Sequence, residues 1–127
     1  MTITKRFLTV AAFVMLAIFS GCAVVTPPSQ EQMLSADYGP IPTEDQIQRG
    51  IVSYLEPRLK DPDSALTKNI TKPKKGYLTL TSIAAGSSYT YGWIVHFEVN
   101  AKNSYGGYVG YKEYSVVFRD GKVMNKQ

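Results

Sequence analysis

The chain has 127 residues, with 14 lysines and arginines, 10 aspartates and glutamates, one histidine and one cysteine. This length is enough for one small domain. The net charge of +4 falls to +2 without Lys5 and Arg6 near the start, which is too small for a nucleic-acid binder. One imidazole and one thiol are also too few for a zinc site. We therefore expect no nucleic acid, no metal and no cofactor.

The first 21 residues have the pattern of a secretory signal. Two basic residues precede the uncharged run Phe7–Phe19, and Ser20, Gly21 and Cys22 follow it. These 13 uncharged residues suit the central region of a signal peptide and are too few to span a bilayer. The alternative is an uncleaved membrane anchor over residues 7–25, which carries no charge and is just long enough to cross.

The sequence "FSGC" resembles the lipobox of bacterial lipoproteins, with Phe19 where that family usually has leucine. The resemblance implies cleavage between Gly21 and Cys22, a diacylglyceryl group on the Cys22 thiol, and acylation of the new α-amino group. The acyl chains would then hold the protein to a membrane. Ala23, where an aspartate could stand, implies the periplasmic face of the outer membrane of a Gram-negative bacterium.

The next segment, residues 22–42, reads as a lipidated cysteine followed by a flexible tether. It contains four of the seven prolines and shows no periodic pattern. Residues 43–127 then form one domain. Because the lone cysteine would carry lipid, no disulfide remains, and the hydrophobic core alone must hold this domain together.

A helix is predicted to begin at Thr43, where Thr43 and Gln46 have the spacing of a capping box. Apolar residues then recur at helical spacing and form one stripe. Its members are Ile47, Ile51, Tyr54, Leu55 and Leu59. Pro57 interrupts the helix, and Pro62 requires that it end before Asp61.

The remainder predicts strands at 64–71, 77–84, 91–102, 110–119 and 122–124, with a basic turn over Lys72–Gly76 and a tight turn at Asp120–Gly121. In the strongest strand one set of alternate residues is almost wholly apolar and is assigned to the core. That set is Tyr91, Trp93, Val95, Phe97, Val99 and Ala101, joined by Tyr114, Val116 and Phe118 of the later strand. The predicted fold is α+β: one N-terminal amphipathic helix packed on one face of a four- to five-stranded antiparallel sheet.

The other face of the sheet would carry a mixture of polar and aromatic side chains. These are Thr79, Thr81, Ile94, His96, Glu98, Tyr111 and Glu113. Two interpretations stay open, because antiparallel sheets often leave one face in water and tyrosine rings also serve as contacts for a glycan or a protein. A catalytic role for His96 has no partnered nucleophile behind it. The basic turn is read as solvated, with anionic lipid as the alternative ligand.

Four tyrosines recur at every third residue, at positions 105, 108, 111 and 114. Because side chains alternate along a strand, this spacing sends successive rings to opposite faces unless Gly106–Gly107 forms a bulge. Tyr114 is expected in the core. The candidate interaction face consists of Tyr105, Tyr108, Tyr111, His96 and Glu98.

Two stretches, "LKDPDSA" at 59–65 and "VNAKNSYGGYVGY" at 99–111, resemble paired motifs of small uncharacterised lipoproteins and periplasmic proteins of Gram-negative bacteria. The resemblance implies a compact α+β domain. Our functional hypothesis is a non-enzymatic, lipid-anchored interaction module for an envelope protein complex or peptidoglycan. The alternative is an inhibitor of a cell-wall hydrolase such as lysozyme. An enzyme, with His96 as its base, is the third hypothesis.

Overall fold

The structure, a computed structural model, describes residues 25–82 and 86–124. The predicted signal peptide, the cleavage site and Cys22 lie outside these residues. Within the described ranges no helix is both long enough and apolar enough to cross a membrane.

Two α-helices lie between residues 25 and 60 of the described chain, α1 at Gln30–Ser35 and α2 at Glu44–Leu55. Each begins with a capping box, as was predicted for α2. The Thr43 hydroxyl accepts a hydrogen bond from the Gln46 backbone N–H at 3.3 Å, and the Gln46 side chain accepts one from the Thr43 N–H at 2.9 Å. The helix ends two residues before Pro57, which cannot donate the next backbone hydrogen bond. A short 3-10 helix, Pro62–Ser64, follows.

Five strands form one antiparallel sheet. They are β1 Leu66–Lys68, β2 Lys74–Ser82, β3 Gly86–Asn100, β4 Lys112–Arg119 and β5 Lys122–Val123. β3 is central: β4 pairs with one of its edges, β1 and β2 share the other, and β5 lies outside β4. The predicted α+β class, with an antiparallel sheet of four to five strands and a helix, is confirmed.

The edge formed by β1 and β2 is one strand path interrupted by a bulge. Lys68 pairs with Glu98 and Lys74 pairs with Ile94, so the five residues 69–73 lie opposite only three of β3. Asn69 accommodates the extra residues with a φ of +53°, a left-handed conformation that asparagine tolerates. The predicted basic turn over Lys72–Gly76 was therefore wrong, because its last three residues already belong to β2.

The main core lies between α2 and the sheet residues opposite it. Its buried members are Ile47, Ile51, Leu55, Val95, Phe97, Val99, Val116, Phe118 and Val123. Val95, Phe97, Val99, Val116 and Phe118 of the predicted inward set are thus confirmed, with Trp93, Ala101 and Tyr114 partly buried at the border of the core. Tyr91, the first of that set, lies outside this cluster. Helix and sheet approach closely at Gly50, where an added Cβ would lie 2.3 Å from the Phe118 ring.

The phase of β2 differs from the prediction for Thr79. Tyr77 pairs with Tyr91 and Thr79 pairs with Tyr89, and directly paired residues of antiparallel strands share a face. Thr79 therefore lies on the same face as Tyr91 and the core, and the alternate residues Leu78 and Leu80 lie on the other. The sequence alternates leucine with threonine here, and composition alone assigned the wrong set to water.

Residues 26–42 form what we call the N-terminal arm, which lies against the sheet. Tyr38 is only 7% exposed, and its ring centroid is 5.6 Å from that of Tyr91 and 6.2 Å from that of Trp93. The Trp93 indole N–H donates to the Gly39 carbonyl at 3.0 Å, and the Tyr89 hydroxyl donates to the carbonyl of Thr26. Part of the segment expected to be a tether, residues 22–42, thus contacts the sheet in this structure.

Arg119, the last residue of β4, holds the arm against the sheet through hydrogen bonds. Its guanidinium donates to the backbone carbonyls of Asp37 at 2.6 Å and Tyr91 at 2.9 Å, and to the Asp37 carboxylate at 3.1 Å. The Gly39 N–H donates to the same carboxylate at 2.9 Å. The Gly39 hydrogen bond and the nearby Arg119 charge lower the pKa of Asp37 below its ordinary value. Gly39 has φ +69°, and a Cβ there would lie 2.8 Å from an Asp120 carboxylate oxygen.

Candidate functional site

The segment Asn103–Gly110, here called the aromatic loop, connects the end of β3 to β4. The Asn103 side-chain oxygen accepts hydrogen bonds from the backbone N–H groups of Tyr105 at 2.9 Å and Gly107 at 3.1 Å. Backbone bonds join Asn103 N–H to the Gly107 carbonyl and Gly106 N–H to the Asn103 carbonyl. Gly106 takes a φ of +82°, which favours glycine. The loop is thus shaped by its own hydrogen bonds.

The tyrosines of this region have three different environments. Tyr105 is 97% exposed at the turn of the loop. The Tyr108 hydroxyl donates to the Ser64 carbonyl at 3.2 Å, and the Lys102 ammonium lies 5.6 Å from the centroid of the Tyr108 ring. Tyr111 lies beside Lys68, whose ammonium is 3.7 Å from its ring centroid. They do not form one aromatic row.

The paired motifs of the sequence contact each other at the base of the loop. The Ser64 hydroxyl donates to the Asp61 carbonyl at 2.8 Å and accepts from the Lys102 N–H at 3.2 Å. Tyr108 adds the bond to the Ser64 carbonyl described above. The "DPDSA" turn therefore supports the loop from outside the sheet, which gives both motifs a structural role.

A polar network continues from the loop along the uncovered face of the sheet. The Lys68 ammonium is 3.3 Å from one Glu98 carboxylate oxygen, and the Asn69 side-chain N–H donates to the other at 3.0 Å. The bond from Asn69, followed by the interaction with Lys68, lowers the pKa of Glu98. Tyr111 lies on the far side of Lys68, so the network places one cation, one anion and one ring side by side. Such a group of side chains can bind a partner whose surface carries charges of the opposite sign at matching positions.

His96 lies on the same face, one strand alternation from Glu98. Its Nδ1 atom is 3.9 Å from a Glu113 carboxylate oxygen, and both side chains are largely exposed. The register also places Ser115 directly opposite His96. Serine, histidine and glutamate are also the residue types of many hydrolases. Here all three side chains lie on an exposed face of the sheet.

Two other features of the surface are a cleft beside α2 and a pair of lysines at the start of β2. A cleft of ≈ 510 Å³ lies between the start of α2 and the bulge, with Ile47 and Ile70 among its apolar residues and Glu44 and Lys72 among its charged ones. It follows the gap between helix and bulged edge. The basic residues Lys74 and Lys75 at the start of β2 do not form one patch, because side chains alternate between the two faces along the strand. The Lys75 ammonium lies 4.9 Å from the Tyr38 ring centroid.

Of the five residues predicted for the interaction face, the structure connects Glu98 and Tyr111 through Lys68, with His96 adjacent. Tyr105 lies at the loop turn and Tyr108 at its base. Sequence reasoning missed Lys68 and Asn69, because their position depends on a bulge that no short pattern marks. Asn103 had a detectable signal: an asparagine shortly before two glycines is typical of a turn closed by its side chain.

No protein-family model, curated protein or solved structure matches this chain. In the described part of the chain, no group of three or more histidine, cysteine, aspartate or glutamate side chains is arranged to hold a metal ion.

Proposed function

We propose that the protein is a non-enzymatic lipoprotein, anchored by acyl chains on Cys22 to the periplasmic face of the outer membrane, whose aromatic loop binds a protein partner of the cell envelope. The sequence "FSGC" after an uncharged run supports the anchor. The exposure of Tyr105 on a loop closed by hydrogen bonds supports the binding role.

The exposure of Tyr105 is the observation that carries the proposal. A fully exposed ring gains little in the free protein, because its apolar surface stays in water. It contributes when a partner covers it, and tyrosine is enriched among the residues that dominate binding energy. Because hydrogen bonds from Asn103 already shape the loop, binding would cost little additional ordering entropy.

The form of the loop favours a protein over a glycan strand. Tyr105 protrudes, and a protruding ring fits a pocket on a partner surface. Peptidoglycan is the competing ligand, and the cross-linking experiment below distinguishes it from a protein partner.

We also propose that α2 packs on one face of the sheet only. The burial of Ile47 and Ile51 in the same cluster as Val95 supports this packing.

The test places a photo-cross-linking amino acid at Tyr105 of the full-length protein in cells. A matched control carries it at Val52, which is 63% exposed on α2. We expect a discrete protein adduct from position 105 alone, and we expect it to weaken when Asn103→Ala opens the loop. Identical adducts from both positions would contradict the proposal, and an adduct found only with purified peptidoglycan would favour the glycan. Membrane fractionation of Cys22→Ser tests the anchor separately, since release from the membrane is expected.

A further inference from the structure

The N-terminal arm brings the start of the described chain to one end of the sheet. The Thr26 carbonyl accepts a hydrogen bond from the Tyr89 hydroxyl, and Tyr89 is the fourth residue of β3, which begins at Gly86. Pro28, two residues after Thr26, is buried. The chain therefore enters the domain beside the β2–β3 hairpin, here called the hairpin end.

The connection from this point to Cys22 is short. Four peptide units separate Cys22 from Thr26, and a fully extended chain of that length spans about 14 Å. A free coil over all of 22–42 would have let the domain move about 25 Å from its anchor and turn in any direction. Because the arm is hydrogen-bonded to the sheet, only the segment from Cys22 to Thr26 sets the distance between the lipid anchor and the domain.

The aromatic loop lies at the opposite end of the longest strand. Asn100 lies eleven residue steps after Tyr89 along β3, which corresponds to about 36 Å at the rise of an antiparallel strand. The loop then begins at Asn103. The distance from Thr26 to the aromatic loop is thus more than twice the extended length of the segment from Cys22 to Thr26.

An exposed leucine lies at the hairpin end. Leu80, which pairs with Ser88 on the uncovered face, is 51% exposed. This side chain would be stabilised by the interfacial layer of a bilayer, where its apolar surface leaves water.

We infer that the docked arm orients the domain end-on, with the hairpin end toward the lipid and the aromatic loop directed away from it. The partner of Tyr105 is accordingly a periplasmic protein surface beyond the headgroup layer, and the loop does not contact lipid. This inference rests on the lipid anchor of the proposed function.

The test uses the full acylated protein in vesicles of phosphatidylethanolamine and phosphatidylglycerol that contain a headgroup spin-labelled lipid. A fluorophore is attached to a single new cysteine, Ser88→Cys at the hairpin end or Ser104→Cys in the loop; both serines are exposed. We expect quenching several-fold stronger at position 88 than at 104. Adding Tyr38→Ala, which removes the buried ring of the arm, should bring the two values together.

Each failure has its own signature. Equal quenching at the two positions in acylated protein, or stronger quenching at 104, would overturn the orientation and leave the anchor standing. A mass without acyl chains in the same sample would overturn the anchor and the orientation with it. Unchanged emission of Trp93, the only tryptophan, confirms that each single-cysteine variant keeps the arm docked.

Discussion

The two halves of the covered face of the sheet are built differently. Under α2 the fully buried side chains are aliphatic or phenylalanine, with the Tyr54 and Tyr114 rings packed at their border. The central members Val95, Val116 and Phe118 have no exposed surface. Under the arm the sheet carries aromatic rings that meet at centroid distances from 5.6 to 6.4 Å. Tyr77, Tyr89, Tyr91 and Trp93 come from the sheet, and Tyr38 comes from the arm.

The difference shows how a helix and an irregular segment are held to the same surface. The helix presents an apolar stripe, and burial of that stripe needs no particular geometry. The arm buries one large ring, that of Tyr38. It is also held to the sheet by directional hydrogen bonds that Trp93 and Arg119 donate to its backbone carbonyls. Partial burial of this aromatic group also raises the pKa of Tyr91. We therefore expect the helix half to set global stability and the arm half to open locally at lower cost.

The largest effect should come from breaking the helix half. Phe118→Ala removes a fully buried ring that lies against Gly50 of α2, and such truncations cost about 3–5 kcal/mol. Much of the stability of a small domain would be lost. Urea unfolding followed by circular dichroism measures this loss. Val52→Ala, on the exposed side of the same helix, is the control and should change stability by less than about 0.5 kcal/mol. A loss below about 1 kcal/mol for Phe118→Ala would contradict this account of the core.

A smaller and more local effect is expected from Tyr38→Ala. The ring packs on Trp93 and Tyr91, so its removal should cost about 1–3 kcal/mol and release the arm. The emission of Trp93 should shift to longer wavelength, because the indole loses cover and its bond to Gly39. Amide protection of Val95 should persist.

Tyr105→Ala is the matched control for this variant, since it removes a ring that is 97% exposed. It should leave both the emission and the stability unchanged. If Tyr38→Ala instead unfolded the whole domain in one step, the two halves would be a single cooperative unit.

The sequence was sufficient for the helix half. The capping box at Thr43 and the stripe from Ile47 to Leu55 mark α2 because both are local patterns. The alternation from Trp93 to Val99 marks β3 in the same way. The phase of β2 and the bulge after Lys68 required the three-dimensional pairing. The same holds for the start of β3 at Gly86, five residues before the predicted 91, and for the short length of β1, Leu66–Lys68.

The arm could not be predicted from its own residues. Tyr38 and Asp37 stand among prolines without a period, and their partners lie far along the chain: Trp93 is 54 residues from Gly39, and Arg119 is 82 from Asp37. The candidate site likewise has one part that the sequence predicts and one part that it does not. The exposure of Tyr105 follows from the turn signals around it, whereas the placement of Lys68 beside Tyr111 depends on strand register.

The smallest effect concerns the acid sensitivity of the arm. Interactions with Gly39 and Arg119 lower the pKa of Asp37 in the folded protein, so its ionised form stabilises the docked arm. That contribution is complete above the ordinary pKa of 3.8 and is lost as the pH falls through the lowered value. The side chain is 82% exposed, which keeps the effect small. In a pH titration of Trp93 emission, Asp37→Asn should differ from the wild type near neutral pH and converge with it in acid. Parallel curves at every pH would show that the carboxylate charge does not hold the arm, and that the backbone bonds from Arg119 and Trp93 do so alone.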